Sequence, residues 1–522
     1  MIQPRAAWLL GAMILVHGAA QAEEPVDYDM VGRIRDEGFR RSSVMKTLFE
    51  LSDVHGPRLA GSPAYDAAAA WARDRLAEWG LAEARLEPWG ELGRGWSLER
   101  FTLEMTRPYY QPLIGYPKAW TGSTPGEIVG TPVIFNPETR EAMEGFKGKL
   151  TGKLLLTDPP QTVASPFEAP ARRHTPEELD QMSRATGMAR PIAEDAPDRR
   201  PPPRRRGFST EEFLKAEQPA ALLSPSRGAY GALFVQGGGS TAPGSEPGLP
   251  AVVLAAEHYN RLYRLAEAER EVEVRLLLTT RFHDDDPRDY NVLADLPGTD
   301  RRLKDEIVMM GAHLDSWHGA TGATDNAAGC AVVLEAARIL QALGVRPRRT
   351  IRVALWGAEE RGLRGSRAYV AANFGEPDAE KRPPAYERFS AYFNVDYGAG
   401  RVRGISLQGN RAARPIFEAW LRPFEDLGAR TVTLEGLGST DHVAFDRAGL
   451  PGFQFIQDPM DYFGWTHHTN MDFYDHVNEA DLTQSAVILA AFVYHAAQRE
   501  TRIPRKPPGA RRPAATASEQ DQ

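Results

Sequence analysis

The sequence predicts an α/β protein: a mostly parallel central sheet flanked by helices, interrupted by an inserted β-rich domain. Three observations carry this. From Glu306 onward, short apolar runs alternate with loops and helix-periodic stretches, as parallel strands joined by crossover helices require. Acids and histidines gather just after those runs, at strand carboxyl ends, where open α/β sheets bind ligands. Between 125 and 285 the pattern changes to brief β-type runs separated by turns, which marks a separate unit.

The 522 residues include 42% from the hydrophobic set and 25% charged, a balance that suits a folded chain and excludes a disordered one. At ~100–200 residues per domain, two or three domains are expected. The formal charge of −8 leaves no chain-wide basic surface for nucleic acid. A single cysteine, Cys330, excludes a disulfide framework and a thiolate metal cage. Any bound metal must therefore use oxygen and imidazole ligands.

Taken in order, residues 1–22 read as a secretory signal: Arg5, an apolar run from Ala6 to Val16, and Ala20-Gln21-Ala22 before a cleavage point. The run is shorter than the about 20 apolar residues that span a bilayer, and no later stretch qualifies, so no membrane span is expected after signal cleavage. Export to the periplasm or the exterior follows. Residues 23–124 begin the main domain, and 29 to 90 read as helical through Val31, Ile34, Val44, Leu48, Leu51 and the alanine-rich 67–79. Gly56-Pro57 and Gly61-Ser62-Pro63 interrupt them.

Within 125–285, strands are expected at Val133-Ile134-Phe135, Leu154-Leu155-Leu156, Ala232 to Val235 and Ala251 to Leu254, with one helix near 257–268. Residues 171–206, which contain Pro201-Pro202-Pro203 and Arg204-Arg205-Arg206, are too polar and proline-rich to pack and read as disordered, either a solvated excursion or a basic docking patch. Residues 286–500 hold the remainder of the main domain. Here strands are expected at 307–310, 351–356 and 389–395, and helices at 327–343 and 366–374. The segment 501–522, rich in Pro, Arg and Ala, reads as a disordered tail.

The chemistry lies at the strand ends. After the first run comes His313-Leu314-Asp315-Ser316. A metal-bound imidazole usually gives its other nitrogen to a carboxylate, and Asp315, two residues on, is placed to accept it if the backbone stays extended. Asp325 follows just before a helix, where the N-terminal dipole favours an anion. Adjacent Glu359 and Glu360 end the second run, so one can hold metal while the other faces a water. Asp396 ends the third, and His467-His468 come later with Asp472 beyond them.

Two dications carry four positive charges. Asp325, Glu360, Asp396 and a bridging hydroxide balance them, with His313 and His468 neutral, as in two-metal hydrolytic sites. This donor set suits Zn, with Co or Mn as alternatives.

The motifs HLDS, TDNAAG, GAEERGLRGS, NVDYG, GSTDH and HHTNMD, together with GPRLAGSPAY at 56–65, resemble those of the co-catalytic di-zinc exopeptidases. That family includes bacterial leucyl aminopeptidases and carboxypeptidase Q-like enzymes with an inserted protease-associated domain. The resemblance implies a zinc exopeptidase fold with two zinc ions per chain: His313, Asp325 and Asp396 around one, Asp325, Glu360 and His468 around the other. It implies Glu359 as general base; Asp441 and His442 read either as groups beside the metals or against substrate or as a turn with helix caps, and Asp472 is a further candidate beside the metals or against substrate. Two positions depart from the family pattern: Asn326 stands where relatives often carry a second Asp, and His318 where an acid is common.

The implied activity is hydrolysis of dipeptides or short peptides with a free N-terminus, with amino-, di- and carboxypeptidase specificity all open and a homodimer also open. A glutaminyl cyclase or a non-catalytic binding protein of the same fold are the alternatives. A serine hydrolase and an HExxH protease are disfavoured, because neither G-x-S-x-G nor HExxH occurs.

Overall fold

The computed structural model describes residues 23–507 except 166, 168, 188–208, 378 and 380. The signal expected at 1–22 and the proline- and arginine-rich stretch 201–206 lie outside the described residues.

An eight-stranded sheet forms the frame. Its centre consists of the strands Thr350–Trp356, Ile307–His313, Phe389–Asn394 and Gly452–Gln457, all paired in parallel. Buried on both faces, they read as the near-continuous apolar runs that such strands require. Antiparallel pairs complete the sheet, Arg288–Leu296 and then Ala82–Glu91 on one side and Val402–Ser406 on the other, with Thr431–Thr433 pairing in parallel at that outer edge. The α/β class is thus as read, with a mixed sheet whose parallel pairing is concentrated in the middle.

Ala82–Glu91 belongs to a stretch that was expected to be helical. It has half-buried and exposed positions and no fully buried one along a sheet edge, and its identity is set by pairing with Arg288–Leu296, far away in sequence.

Helices cover both faces. On one, Ala328–Ala342 and Glu479–Gln498 pack with Tyr28–Arg41 and Val44–Phe49 over a core that includes Val308, Met310, Leu334 and Phe492. On the other, Arg364–Phe374, Pro384–Arg388 and His442–Arg447 close over Trp356, Tyr392 and Phe445. Ala328–Ala342 buries nearly its whole circumference, and Cys330 within it is fully buried, its Sγ donating to the His313 carbonyl at 3.0 Å.

Two smaller sheets lie outside this frame. One joins Gly95–Arg107, Glu273–His283, Gln111–Pro112 and Ile128–Gly130; the other joins Gly115–Pro117, Ala251–Leu254, Ala221–Pro225, Leu154–Leu156 and Val133–Ile134. Their strands start at Gly95, thirty residues before the composition changes, because Gly95–Arg107 runs antiparallel to Glu273–His283 along its whole length.

Two segments expected to be disordered are packed in part. Thr175 and Glu178 form a reciprocal cap on the helix Pro176–Arg184, which buries Leu179, and Arg173 binds Asp458 and Asp481 at 2.9 and 2.8 Å. After Glu500, Ile503 is buried and Lys506 pairs with Asp446. In both places a few residues reach specific partners, which average composition does not register. Among the described residues, no helix is long and apolar enough to cross a membrane.

Candidate metal centre

Three of the parallel strands deliver the site. Ile307–His313 ends on His313, Thr350–Trp356 leads into Glu359 and Glu360, and Phe389–Asn394 leads into Asp396. Asp325 sits in the turn Ala323–Ala327 just before the helix Ala328–Ala342.

Asp325 is the hub. Its Oδ1 lies 3.3 Å from His313 Nε2, which is also 3.5 Å from Asp396 Oδ1. Its Oδ2 lies 3.2 Å from His468 Nε2, which is 2.9 Å from Glu360 Oε2. The five ligands expected from the sequence therefore meet around one shared carboxylate. His467 comes as well: its ring stacks on His468 at 3.7 Å between centroids, and its Nε2 is 3.9 Å from Asp325 Oδ2. Two three-residue groups are compact enough to hold an ion, His313-Asp325-Asp396 and Asp325-His467-His468.

The donor set fits metal. Asp325 Oδ2 and Glu360 Oε1 are buried without a hydrogen-bond partner, which is costly unless a cation completes them. Their ionisation shows the same frustration. Burial works to raise Asp325, but His313 and His468 hold it well below the usual carboxylate range. Burial pushes Glu360 up to about 7 against the pull of His468. Burial would lower His313, yet Asp396 and Glu359 raise it well above an ordinary imidazole.

Glu359 is buried beside this cluster, pushed well up by desolvation, opposed by His313 and reinforced by Asp396 and Asp441.

Asp315 acts differently from the expectation. The strand ends at His313, so strict alternation does not carry over to Asp315. It is the Asp315 main-chain carbonyl that lies 2.9 Å from His313 Nδ1, with the carboxylate at 3.7 Å. The carboxylate instead accepts the N–H groups of Glu359 and Glu360 at 3.0 and 3.2 Å, which locks the turn that presents both acids. Asp472 does the same for the hub, accepting from Thr324 N at 2.5 Å and Asp325 N at 3.0 Å. Asn326 donates to the Val395 carbonyl at 2.9 Å and accepts from Gly329 N at 3.1 Å, tying the hub to the Asp396 strand end.

Asp441 is fully buried near Glu359 and is pushed by desolvation up to about 7, His313 opposing. His442 points elsewhere: its Nε2 lies 2.9 Å from the Leu437 carbonyl and 2.7 Å from the Gln408 amide, and burial brings its pKa down to about 4. It is a neutral packing group.

Sequence reasoning gave Arg58 no role. Fully buried, it donates to the carbonyls of Leu314, Leu51, Thr321 and Gly322 at 2.7–2.9 Å, and so braces both the His313 strand end and the hub turn. A lone arginine carries no periodicity that could have pointed to this. Trp317 and Phe234 flank His468, with centroids 6.2 and 5.6 Å away, while Tyr462 and Phe463 pack on His467.

Comparison with known proteins adds three findings. Residues 291–493 match the model of peptidase family M28. Human carboxypeptidase Q is 27% identical over 259 residues, covering 50% of this chain and 52% of that one; leupeptin-inactivating enzyme 1 of Streptomyces exfoliatus is 36% identical over 163 residues, 31% of this chain and 34% of that one. The chain spans about half the length of the curated relatives it matches. Among solved structures, a peptidase M28 precursor from Shewanella amazonensis superposes with TM-score 0.64 at 25% identity, covering 92% of this chain and 98% of its own. A zinc aminopeptidase from Bacillus subtilis, with TM-score 0.53, 20% identity and coverage of 88% and 95%, shares the fold. The resemblance drawn from the motifs therefore stands for residues 291–493, which are similar to peptidase family M28.

Proposed function

We propose that this protein is a zinc-dependent exopeptidase that hydrolyses dipeptides or short peptides with a free N-terminus. The observation that carries this reading is the meeting of His313, Asp396, His468 and Glu360 on the shared carboxylate of Asp325. His313, Asp325 and Asp396 would hold one ion, and Asp325, Glu360 and His468 the other, with zinc preferred over Co or Mn for oxygen and nitrogen donors. Bound there, the metal supplies Lewis acidity and a water acidic enough to react near neutral pH.

The rest is done by the chain. Glu359 is left out of both proposed ligand sets, and its main chain is fixed by Asp315. Its carboxylate takes the proton of the attacking water and returns it to the departing amine, the usual work of a general base turned acid. Desolvation, which raises Glu359, suits this role because it brings the carboxylate closer in basicity to the groups it exchanges protons with. Trp317 and Phe234 exclude water from one side.

The test compares Ala-Leu, acetyl-Ala-Leu and Ala-Leu-amide, with products read by mass spectrometry. Ala-Leu is expected to be cleaved and its acetylated form spared. Cleavage of the amide then assigns aminopeptidase specificity, and its refusal assigns dipeptidase specificity. Efficient internal cleavage of a doubly blocked substrate, or no hydrolysis of any peptide by zinc-loaded protein, sinks the reading.

A further inference from the structure

The segment after the strand Ala221–Pro225 links the small sheets to the metal centre. Ser226 Oγ closes the preceding turn by donating to the Ala232 carbonyl at 2.8 Å and accepting from Phe234 N at 3.0 Å. The chain then runs extended, and extended backbone turns successive side chains to opposite faces. Leu233 and Val235 are buried against Val253 and Ala255 of the inserted unit. Phe234 and Gln236 therefore face the other way, toward the loop that carries His468.

This is a paired edge. Val235 N donates to the His468 carbonyl at 3.1 Å, Leu233 N to Asn470 Oδ1 at 2.6 Å, and Asn470 N to the Leu233 carbonyl at 3.1 Å. Phe234 and Thr469 form an antiparallel bridge. The Gln236 carbonyl accepts from Ala119 N at 3.2 Å, fixing the next residue of the segment. The result is that the Gln236 side-chain amide lies 3.1 Å from His468 Nδ1.

His468 Nε2 faces Glu360 and Asp325. An imidazole that gives this nitrogen's lone pair to a metal must carry its proton on Nδ1, and that N–H needs an acceptor. Half a turn of the Gln236 amide about its last torsion puts Oε1 where Nε2 stands, with nothing else moved.

We propose that Gln236, supplied by the inserted unit, is a positioning residue of the metal centre: its Oε1 accepts the His468 Nδ1–H and so holds the ring in the tautomer that binds metal through Nε2. This rests on the reading of His468 as a ligand. Its consequence is that the inserted unit takes part in metal binding.

The experiment titrates zinc into metal-stripped full-length protein against a chelating indicator. Gln236→Leu should weaken one of the two ions by ~10–100-fold, the usual cost of losing such an outer partner, with the second ion unaffected. Gln236→Glu, whose carboxylate accepts the same N–H, should bind zinc as tightly as the parent or tighter. A role confined to packing would not separate these two variants. Affinity of Gln236→Leu within twofold of the parent, or equal losses in both variants, overturns the proposal.

A His468→Ala arm separates the two levels of the argument. If it retains both ions, the ligand assignment fails. If it loses one while Gln236→Leu loses nothing, only the role of Gln236 fails. Should Gln236→Leu not fold, histidine 15N spectra of the zinc-loaded parent decide: Nδ1 of His468 protonated and Nε2 deprotonated supports the proposal, and the opposite tautomer refutes it.

Discussion

The two halves of the candidate metal centre are built on different principles. His313, Glu360 and Asp396 stand at the ends of parallel strands locked in register, and their braces, Asp315 and Asn326, lie within the same run of chain. His467 and His468 stand on an irregular loop, where His468 adopts φ of 59°, as Ala358 before Glu359 adopts φ of 52°. The partners of that loop come from far away: Leu233, Val235 and Gln236 after the strand Ala221–Pro225, Thr324 and Asp325 held by Asp472, and Arg173 on Asp458. Half of the site is a product of the sheet, and half is assembled by long-range contacts.

The largest expected effect lies in the strand-end half. Glu359→Gln should keep both metals and lose turnover by ~10²–10⁴-fold, because an amide keeps the shape but cannot take the proton. Metal analysis beside dipeptide kinetics checks this, and near-normal turnover would remove Glu359 from the chemistry.

Next comes the brace of that half. Arg58→Met should strand the carbonyls of Leu314, Leu51, Thr321 and Gly322 and cost about 3 kcal/mol or more, from the penalty for buried polar groups left unpaired. Denaturant unfolding measures it, and a loss under 1 kcal/mol would mean that these carbonyls find other partners.

The matching change on the loop half is smaller. Arg173 is partly exposed, and its buried partners keep other cations, Arg403 on Asp458 and Arg401 on Asp481. Arg173→Ala should cost roughly 1–2 kcal/mol and speed proteolysis between 458 and 472 with little effect on the strand-end half. An effect equal to that of Arg58→Met would erase the distinction.

The gentlest probe is pH at the junction. His318 is buried between Trp96, Tyr116 and Trp317, with Nε2 2.8 Å from the Pro117 carbonyl, and burial brings its pKa from 6.5 to about 4. Between those values the unfolded chain binds a proton that the folded chain refuses. Its contribution is therefore fully present above pH 6.5 and is lost as pH falls toward 4, at up to about 1.4 kcal/mol per pH unit. His442 adds a similar limb. Unfolding followed across this range should show a shallower slope for His318→Gln than for the parent, and parallel slopes would place His318 in contact with solvent.

Much of the strand-end half was legible in the sequence. Apolar runs followed at once by His313, Glu359-Glu360 and Asp396 announce both the strand and the pole of the sheet at which its ligands lie, because strand geometry places the next residues at the sheet's edge. The charge count pointed to a metal cluster for the same reason: carboxylates and imidazoles that must share a small volume need cations. The packed helix at 176–184 and the strand Ala82–Glu91 were not legible, since a helix cap, one buried leucine and a distant pairing partner outweighed composition and local pattern.

What the sequence by itself determined was the α/β frame and which acids and histidines fall at its strand ends, because both follow from local periodicity and residue type. Only the tertiary structure decided that Asp315 grips the Glu359–Glu360 turn rather than the imidazole, that His467 stands beside His468 within 3.9 Å of the hub, and that Arg58 and Gln236 reach the His313 strand end and His468. Each of those assignments is a matter of direction: which atom of a side chain or main chain reaches which partner. Direction is set where segments distant in sequence meet, and spacing along the chain holds no record of it.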